Sequence, residues 1–119
     1  MQATLALNRA ELRRYLERVG DRWRLEGAYL GGSAVHGQPV AAVEPTDAPP
    51  FTVVLVSDAF DSVPWLERVY VAGALWDALE MGGRVDVHCY TCAEFERKRD
   101  TVAAVRDAVW HGLDLLVFI

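Results

Sequence analysis

The residue types that could perform chemistry first come together between positions 29 and 37. An apolar run stops at Gly31 and Gly32, Ser33 then offers a hydroxyl group, and a further glycine closes the segment at Gly37. Glycines let the backbone approach an anion closely, and the free N–H groups at the start of a helix carry partial positive charge. The pattern is therefore typical of a strand that runs into a phosphate-binding turn, although ordinary surface turns share the same composition.

A second candidate lies in the segment VDVHCY at positions 85–90. If this segment is a strand, Asp86, His88 and Tyr90 share one face, because successive side chains alternate. Asp86 could supply an oxygen ligand to a hard cation. It could equally be the partner of an arginine or of a backbone N–H group.

Two other kinds of chemistry are disfavoured. Cys89 and Cys92 make only one half of a four-ligand zinc site, and strand alternation turns Cys89 away from His88. We therefore expect two reduced, structural thiols. Ser33 lacks the glycine two residues further on that a serine hydrolase uses at its nucleophile.

A small set of helices and strands must position these residues. Asn8 is predicted to cap a first helix that ends at Gly20, and Thr91 with Glu94 forms a capping box for a later helix. The segment 38–50 is rich in proline and is predicted to be a mobile loop at the mouth of the site. The remaining predictions are strands over 25–30, 51–56 and 85–90, helices over 64–81 and 101–111, and an apolar edge strand or interface segment over 113–119.

In order and content, these segments resemble the minimal nucleotidyltransferases of the DNA polymerase beta-like superfamily. Members of that family carry a Gly-Ser loop closed by a glycine, a strand with two aspartates one residue apart, and a third carboxylate on a later strand. The resemblance runs from about residue 25 to the end of the chain. It implies an α+β fold in which helices flank a mixed β-sheet, within a single domain over 1–119. It also implies Mg²⁺ and ATP as ligands, with nucleotide contacts at Gly32, Ser33, Gly37 and Asp86.

The first two aspartates of the family have no counterpart in this sequence. The two aspartates of the family would fall at Pro50 and Thr52, and neither residue can replace a charged oxygen ligand. Asp58 would lie roughly 20 Å along a straight strand, which is too far. Asp47 and Glu44 belong to the predicted mobile loop, where a ligand is poorly preorganised.

We therefore expect a catalytically degenerate protein with no catalytic residues, in which Asp86 is the one candidate metal ligand. The family often pairs with a helical HEPN-domain protein, as the antitoxin or regulatory half of a two-gene module. The alternative is an active, Mg²⁺-dependent nucleotidyltransferase that moves AMP or another nucleotide onto a protein or small acceptor. In that case Asp47 and Asp86 would hold the metal.

Charge and composition limit the partners. The net charge is −5 and no basic run is present, which argues against nucleic acid and membrane surfaces as partners. No signal peptide or long apolar stretch is apparent, so we expect a cytoplasmic protein. The uncharged segment Val69–Trp76 predicts a helix that is buried on both sides. It could be packed deeply within the monomer, but we favour an interface in which one side lies against a second chain. That chain could be a copy of this protein or a HEPN partner.

Overall fold

The centre of the fold is a mixed β-sheet, seen in a computed structural model that describes residues 7–35 and 49–118. Within these residues the sheet has four strands: β1 (Gly27–Gly31), β2 (Phe51–Val56), β3 (Val85–Tyr90) and β4 (Leu113–Asp114). Their order is β3-β2-β1-β4, in which β2 and β3 are parallel while β1 is antiparallel to both β2 and β4. The predicted α+β fold with a mixed sheet is confirmed.

The central strand is buried on both faces, as its sequence FTVVLV predicts. On one face, Val53 and Leu55 pack with apolar residues of the first helix, including Leu12 and Tyr15. On the other face, Val54 and Val56 belong to a second apolar cluster with residues from the last third of the chain. Helices therefore cover both sides of the sheet.

Two of the helices begin at the capping side chains that the sequence predicts. Asn8 accepts a hydrogen bond from the Glu11 N–H group at 3.1 Å, and Thr91 and Glu94 form the predicted capping box. The helices are α1 (Arg9–Gly20), α2 (Trp65–Ala74), α3 (Ala78–Met81), α4 (Cys92–Lys98), α5 (Ala103–His111) and α6 (Leu115–Phe118), with a 3-10 helix at Asp58–Ser62. None of these described helices has the length and hydrophobicity needed to cross a bilayer.

The prediction of one helix over 64–81 is wrong, because the helix breaks into α2 and α3. Asp77 caps α3 by accepting a hydrogen bond from the Glu80 N–H group at 3.0 Å, and this side chain favours a new helix start. The carbonyl of Leu75, at the end of α2, is satisfied by the Arg18 guanidinium at 2.8 Å. A side chain of α1 thus replaces the hydrogen bond that a continuous helix would make.

The C-terminal prediction also needs correction. Only Leu113 and Asp114 pair with β1, and the chain then turns into α6 instead of continuing as an edge strand. The Asp114 carboxylate accepts a hydrogen bond from the Leu116 N–H group at 3.2 Å, which supports the turn. The segment is therefore mostly helical.

Candidate functional site

Three segments singled out in the sequence meet at one end of the sheet. Gly31 pairs with Thr52 across β1 and β2, and Thr52 in turn pairs with Asp86 across β2 and β3. Thr52 and Asp86 lie on the same face, because paired residues of neighbouring strands point the same way. Thr52, at a position where the resemblance led us to expect an aspartate, is thus immediately beside Asp86.

The Gly-Ser turn follows β1 directly. Gly32 has a φ of +104°, and a Cβ atom there would lie 2.4 Å from the Pro50 carbonyl oxygen, so glycine is required. The Ala34 N–H group donates to that same Pro50 carbonyl at 3.1 Å, and the Val35 N–H group donates to the Gly32 carbonyl at 3.2 Å. Ser33 lies in a turn, and two of the N–H groups that would cradle a phosphate are already engaged.

Gly31 has a separate role in packing. A Cβ atom at this position would lie 2.9 Å from both the Cα and the Cβ of Ala108, which belongs to α5. Helix α5 therefore rests directly on the end of β1, on the face shared by Thr52 and Asp86. The Gly-Gly pair is explained by close backbone approach to α5 and to Pro50.

Some predicted positions lie outside the described residues. These are Gly37, which closes the predicted phosphate turn, and Glu44 and Asp47 of the proline-rich loop. His36, which belongs to the predicted phosphate turn, also lies outside them.

Asp86 begins a row of polar side chains along β3. Its carboxylate is 2.9 Å from Nε2 of His88, and Nδ1 of His88 is 3.4 Å from the Tyr90 hydroxyl. Because a carboxylate only accepts, Nε2 donates to Asp86, and in the neutral ring Nδ1 accepts from Tyr90. Burial raises the pKa of Tyr90, and the negative charge of Asp86 adds to this effect, so the phenol stays protonated.

Among the described residues, Asp86 lacks the set of neighbouring ligands that a metal site needs. Within residues 7–35 and 49–118, one group of three acidic, cysteine or histidine side chains is close enough to share a cation, and Asp86 is not in it. That group comprises Glu26, Asp58 and Cys92, near the opposite end of the sheet. Thr52 is only 8% exposed, so the face beside Asp86 is also largely covered.

The three residues of this group make a capping network that sequence reasoning missed. The Glu26 carboxylate accepts from the Asp58 N–H group at 2.8 Å and from the Cys92 thiol at 3.3 Å. Asp58 accepts from the Cys92 N–H group at 3.0 Å. The hydrogen bond to Glu26, with burial and the Asp58 carboxylate, raises the pKa of Cys92 to about 11.

The expectation of buried structural thiols agrees with the position of Cys89, whereas Cys92 is only partly buried. Cys89 is fully buried on the α2 side of the sheet, and burial raises its pKa to about 12. His88 points to the other face, so these two residues do not form a joint site. Neither cysteine is in a disulfide.

The comparisons with known proteins bear on the fold. No protein-family model matches the chain, and no curated protein shows a significant match. Among solved structures, the chain is similar to one from Sulfolobus solfataricus described as a putative nucleotidyltransferase, with a TM-score of 0.51 and 18% identity. The match covers 77% of this chain and 74% of that one. The chain therefore has a nucleotidyltransferase-like fold, as the resemblance predicted.

Proposed function

We propose that this protein is a nucleotidyltransferase-fold module that has lost nucleotidyl transfer and acts by binding another protein, in a regulatory or antitoxin-like role. The observation that carries the proposal is the pairing of Thr52 with Asp86. Two-metal transfer needs several carboxylates at one point, so that bridging cations can neutralise charge on the phosphates. The strand register places one carboxylate, that of Asp86, at this end of the sheet. Pro50 and Thr52 occupy the two positions where the resemblance leads us to expect aspartates.

The Gly-Ser turn supports the same conclusion. The hydrogen bonds of Ala34 and Val35 leave fewer N–H groups for a phosphate, and α5 packs against Gly31. We therefore propose that nucleotide binding at Gly32, Ser33 and Asp86 is weak at most. Such binding would not require Mg²⁺ or another divalent metal, because Asp86 alone makes a poor site for a hard cation.

Helix α2 offers the surface for a protein partner. Ala72 is fully buried against the sheet, whereas Leu66 and Tyr70 are 79% and 78% exposed. These two residues are four positions apart and so lie side by side on the outer face of the helix. Exposed apolar side chains grouped on one helix face are typical of protein interfaces.

Transfer activity can be measured directly. The purified protein is incubated with radiolabelled ATP, Mg²⁺ or Mn²⁺, and cell extract as a source of acceptors. We expect no labelled product above the level of the Asp86→Ala variant. Label transfer that depends on Asp86 would overturn the proposal and favour the active nucleotidyltransferase, with Asp47 as a further ligand.

The partner is tested by sedimentation, first of the chain alone and then with a helical HEPN-domain protein if the neighbouring gene encodes one. We expect a complex in one of the two experiments, and we expect Leu66→Ser with Tyr70→Ser to abolish it. Leu79→Ser is the matched control, because Leu79 is 95% exposed but lies on α3. A monomer that binds no partner, or a complex that the double substitution leaves intact, would contradict the assignment of α2.

A further inference from the structure

A groove of about 280 Å³ opens at the end of β3 opposite to Asp86. It lies between the start of α2 and the end of α4, and the Gly-Ser turn does not contribute to it. Its lining residues are Trp65, Tyr90, Glu94, Arg97, Lys98 and Val102. The groove therefore combines aromatic rings with cationic side chains, outside the region where the family binds nucleotide.

The aromatic ring of Trp65 is positioned by contacts with two neighbouring side chains. The ring of Trp65 lies 5.5 Å from that of Tyr90, centroid to centroid, and the Arg68 guanidinium lies 5.8 Å from the Trp65 ring. Tyr90 is buried, whereas Trp65 is 44% exposed. Trp65 thus presents a positioned aromatic surface on which a planar ring can stack.

The two cationic side chains of the groove have no ion-pair partner among the described residues. Arg97 and Lys98 are exposed and form neither a hydrogen bond nor an ion pair through their side chains with any described residue. The carboxylate of Glu94 does not neutralise them, since it binds Arg68 at 2.8 Å and the Thr91 N–H group at 2.9 Å. Two free positive charges therefore lie beside the aromatic surface, in a chain whose net charge is −5.

The end of α4 does not repel an anion as strongly as a bare helix terminus would. Its last carbonyls carry negative partial charge, but that of Lys98 accepts from the N–H groups of Thr101 at 3.1 Å and Val102 at 3.0 Å. The end of α4 therefore offsets the charges of Arg97 and Lys98 less than a helix end with free carbonyls would.

We propose that this groove binds a free nucleoside 5′-monophosphate, with the base stacked on Trp65 and the phosphate held by Arg97 and Lys98. Base stacking on aromatic side chains tolerates any base, and arginine matches the geometry of phosphate oxygens. The volume is close to the lower end of the range for ligand sites, about 300 Å³, which suits one ring system with one anionic group. A polynucleotide fits less well, because the acidic chain would repel neighbouring phosphates.

Binding is measured by calorimetry and by NMR with AMP, adenosine and ribose 5-phosphate, in about 0.15 M salt. We expect AMP to bind with a Kd below about 1 mM, and each fragment to bind at least tenfold more weakly, since each lacks one of the two contacts. Trp65→Ala, and separately Arg97→Gln with Lys98→Gln, should each weaken AMP binding tenfold or more. The charge variant alters only exposed side chains, so it remains informative if Trp65→Ala fails to fold.

Two control variants address the specificity of the groove. Trp110→Ala removes another exposed tryptophan, and Arg13→Gln with Arg22→Gln removes two exposed cations elsewhere, so neither should change AMP binding. Ser33→Ala reports separately on the Gly-Ser turn, where the proposed function allows weak binding. The proposal is overturned if AMP does not bind at millimolar concentration, if Ser33→Ala abolishes binding while the groove variants retain it, or if single-stranded DNA binds more tightly than AMP. This test is independent of the transfer assay, because it concerns a different end of the sheet.

Discussion

Thr52 and Asp86 are paired across the parallel strands β2 and β3, at the end of the sheet where β1 runs into the Gly-Ser turn. This pairing places position 52 directly beside Asp86, on the same face of the sheet. The residue there is a threonine, so Asp86 has no second carboxylate at this point of the strand register.

Restoring a carboxylate at position 52 tests this geometry. Thr52→Asp places a second negative charge beside Asp86, and without metal we expect a loss of stability of about 1–3 kcal/mol. Mn²⁺ should recover part of the loss, because a cation that binds only the folded state stabilises it. Thermal unfolding in EDTA and in Mn²⁺ measures both effects. Thr52→Val is the control, and an equal response of both variants to Mn²⁺ would argue against a family-like arrangement.

Gly31 is predicted to be required for packing. In Gly31→Ala the new Cβ atom would lie 2.9 Å from the backbone Cα of Ala108, so α5 or β1 must shift. We expect a loss of about 1–3 kcal/mol in the free energy of unfolding, measured with urea. Gly20→Ala is the matched control, since nothing lies within 4 Å of a Cβ atom there. Similar stabilities of the two variants would show that α5 does not press on β1.

The stability of the protein should depend on pH through Glu11. The hydrogen bond from Arg18 lowers the pKa of Glu11 below its ordinary value of 4.5, although burial partly opposes this shift. A lowered carboxylate pKa contributes stability above the unfolded-state value, and this stability is lost as the pH falls through the folded-state pKa. We expect unfolding free energy to fall below about pH 4.5, with a smaller fall in Glu11→Gln. Identical pH profiles would contradict the role of Glu11.

Cys92 should react slowly with thiol reagents although it is partly exposed. Its pKa of about 11 leaves little thiolate at neutral pH, and the thiolate is the reactive form. Glu26→Gln removes the acceptor that raises this pKa, so alkylation by iodoacetamide should become faster. The rates are compared in a Cys89→Ser background, and an unchanged rate would show that Glu26 does not control the thiol.

Much of the fold follows from local sequence patterns. The runs at 51–56 and 85–90 form the predicted strands, because β-branched and apolar residues suit a buried sheet. The capping box at Thr91 starts α4 for a local hydrogen-bonding reason. The resemblance of three separated segments also predicted the nucleotidyltransferase-like fold, since their order along the chain carries information that no single segment does.

Long-range side-chain contacts explain what the sequence did not predict. No local sequence pattern predicts that Arg18 of α1 binds the Leu75 carbonyl and helps to end α2. Glu26, Asp58 and Cys92 are far apart in the chain, and no spacing rule joins them. The uncharged segment Val69–Trp76 was visible in the sequence, but the partner that would cover α2 remains a prediction.

The two edge strands of the described sheet differ in how readily they could pair with a strand of another chain. In the described part of the chain, β4 is only two residues long and gives way to α6, so that border exposes few unpaired backbone groups. The opposite border is β3, six residues long, where Asp86 stands half exposed. A charge on an edge strand hinders edge-to-edge association with other chains. Asp86 is therefore placed to hinder the pairing of β3 with a strand of another chain, and this role needs no metal.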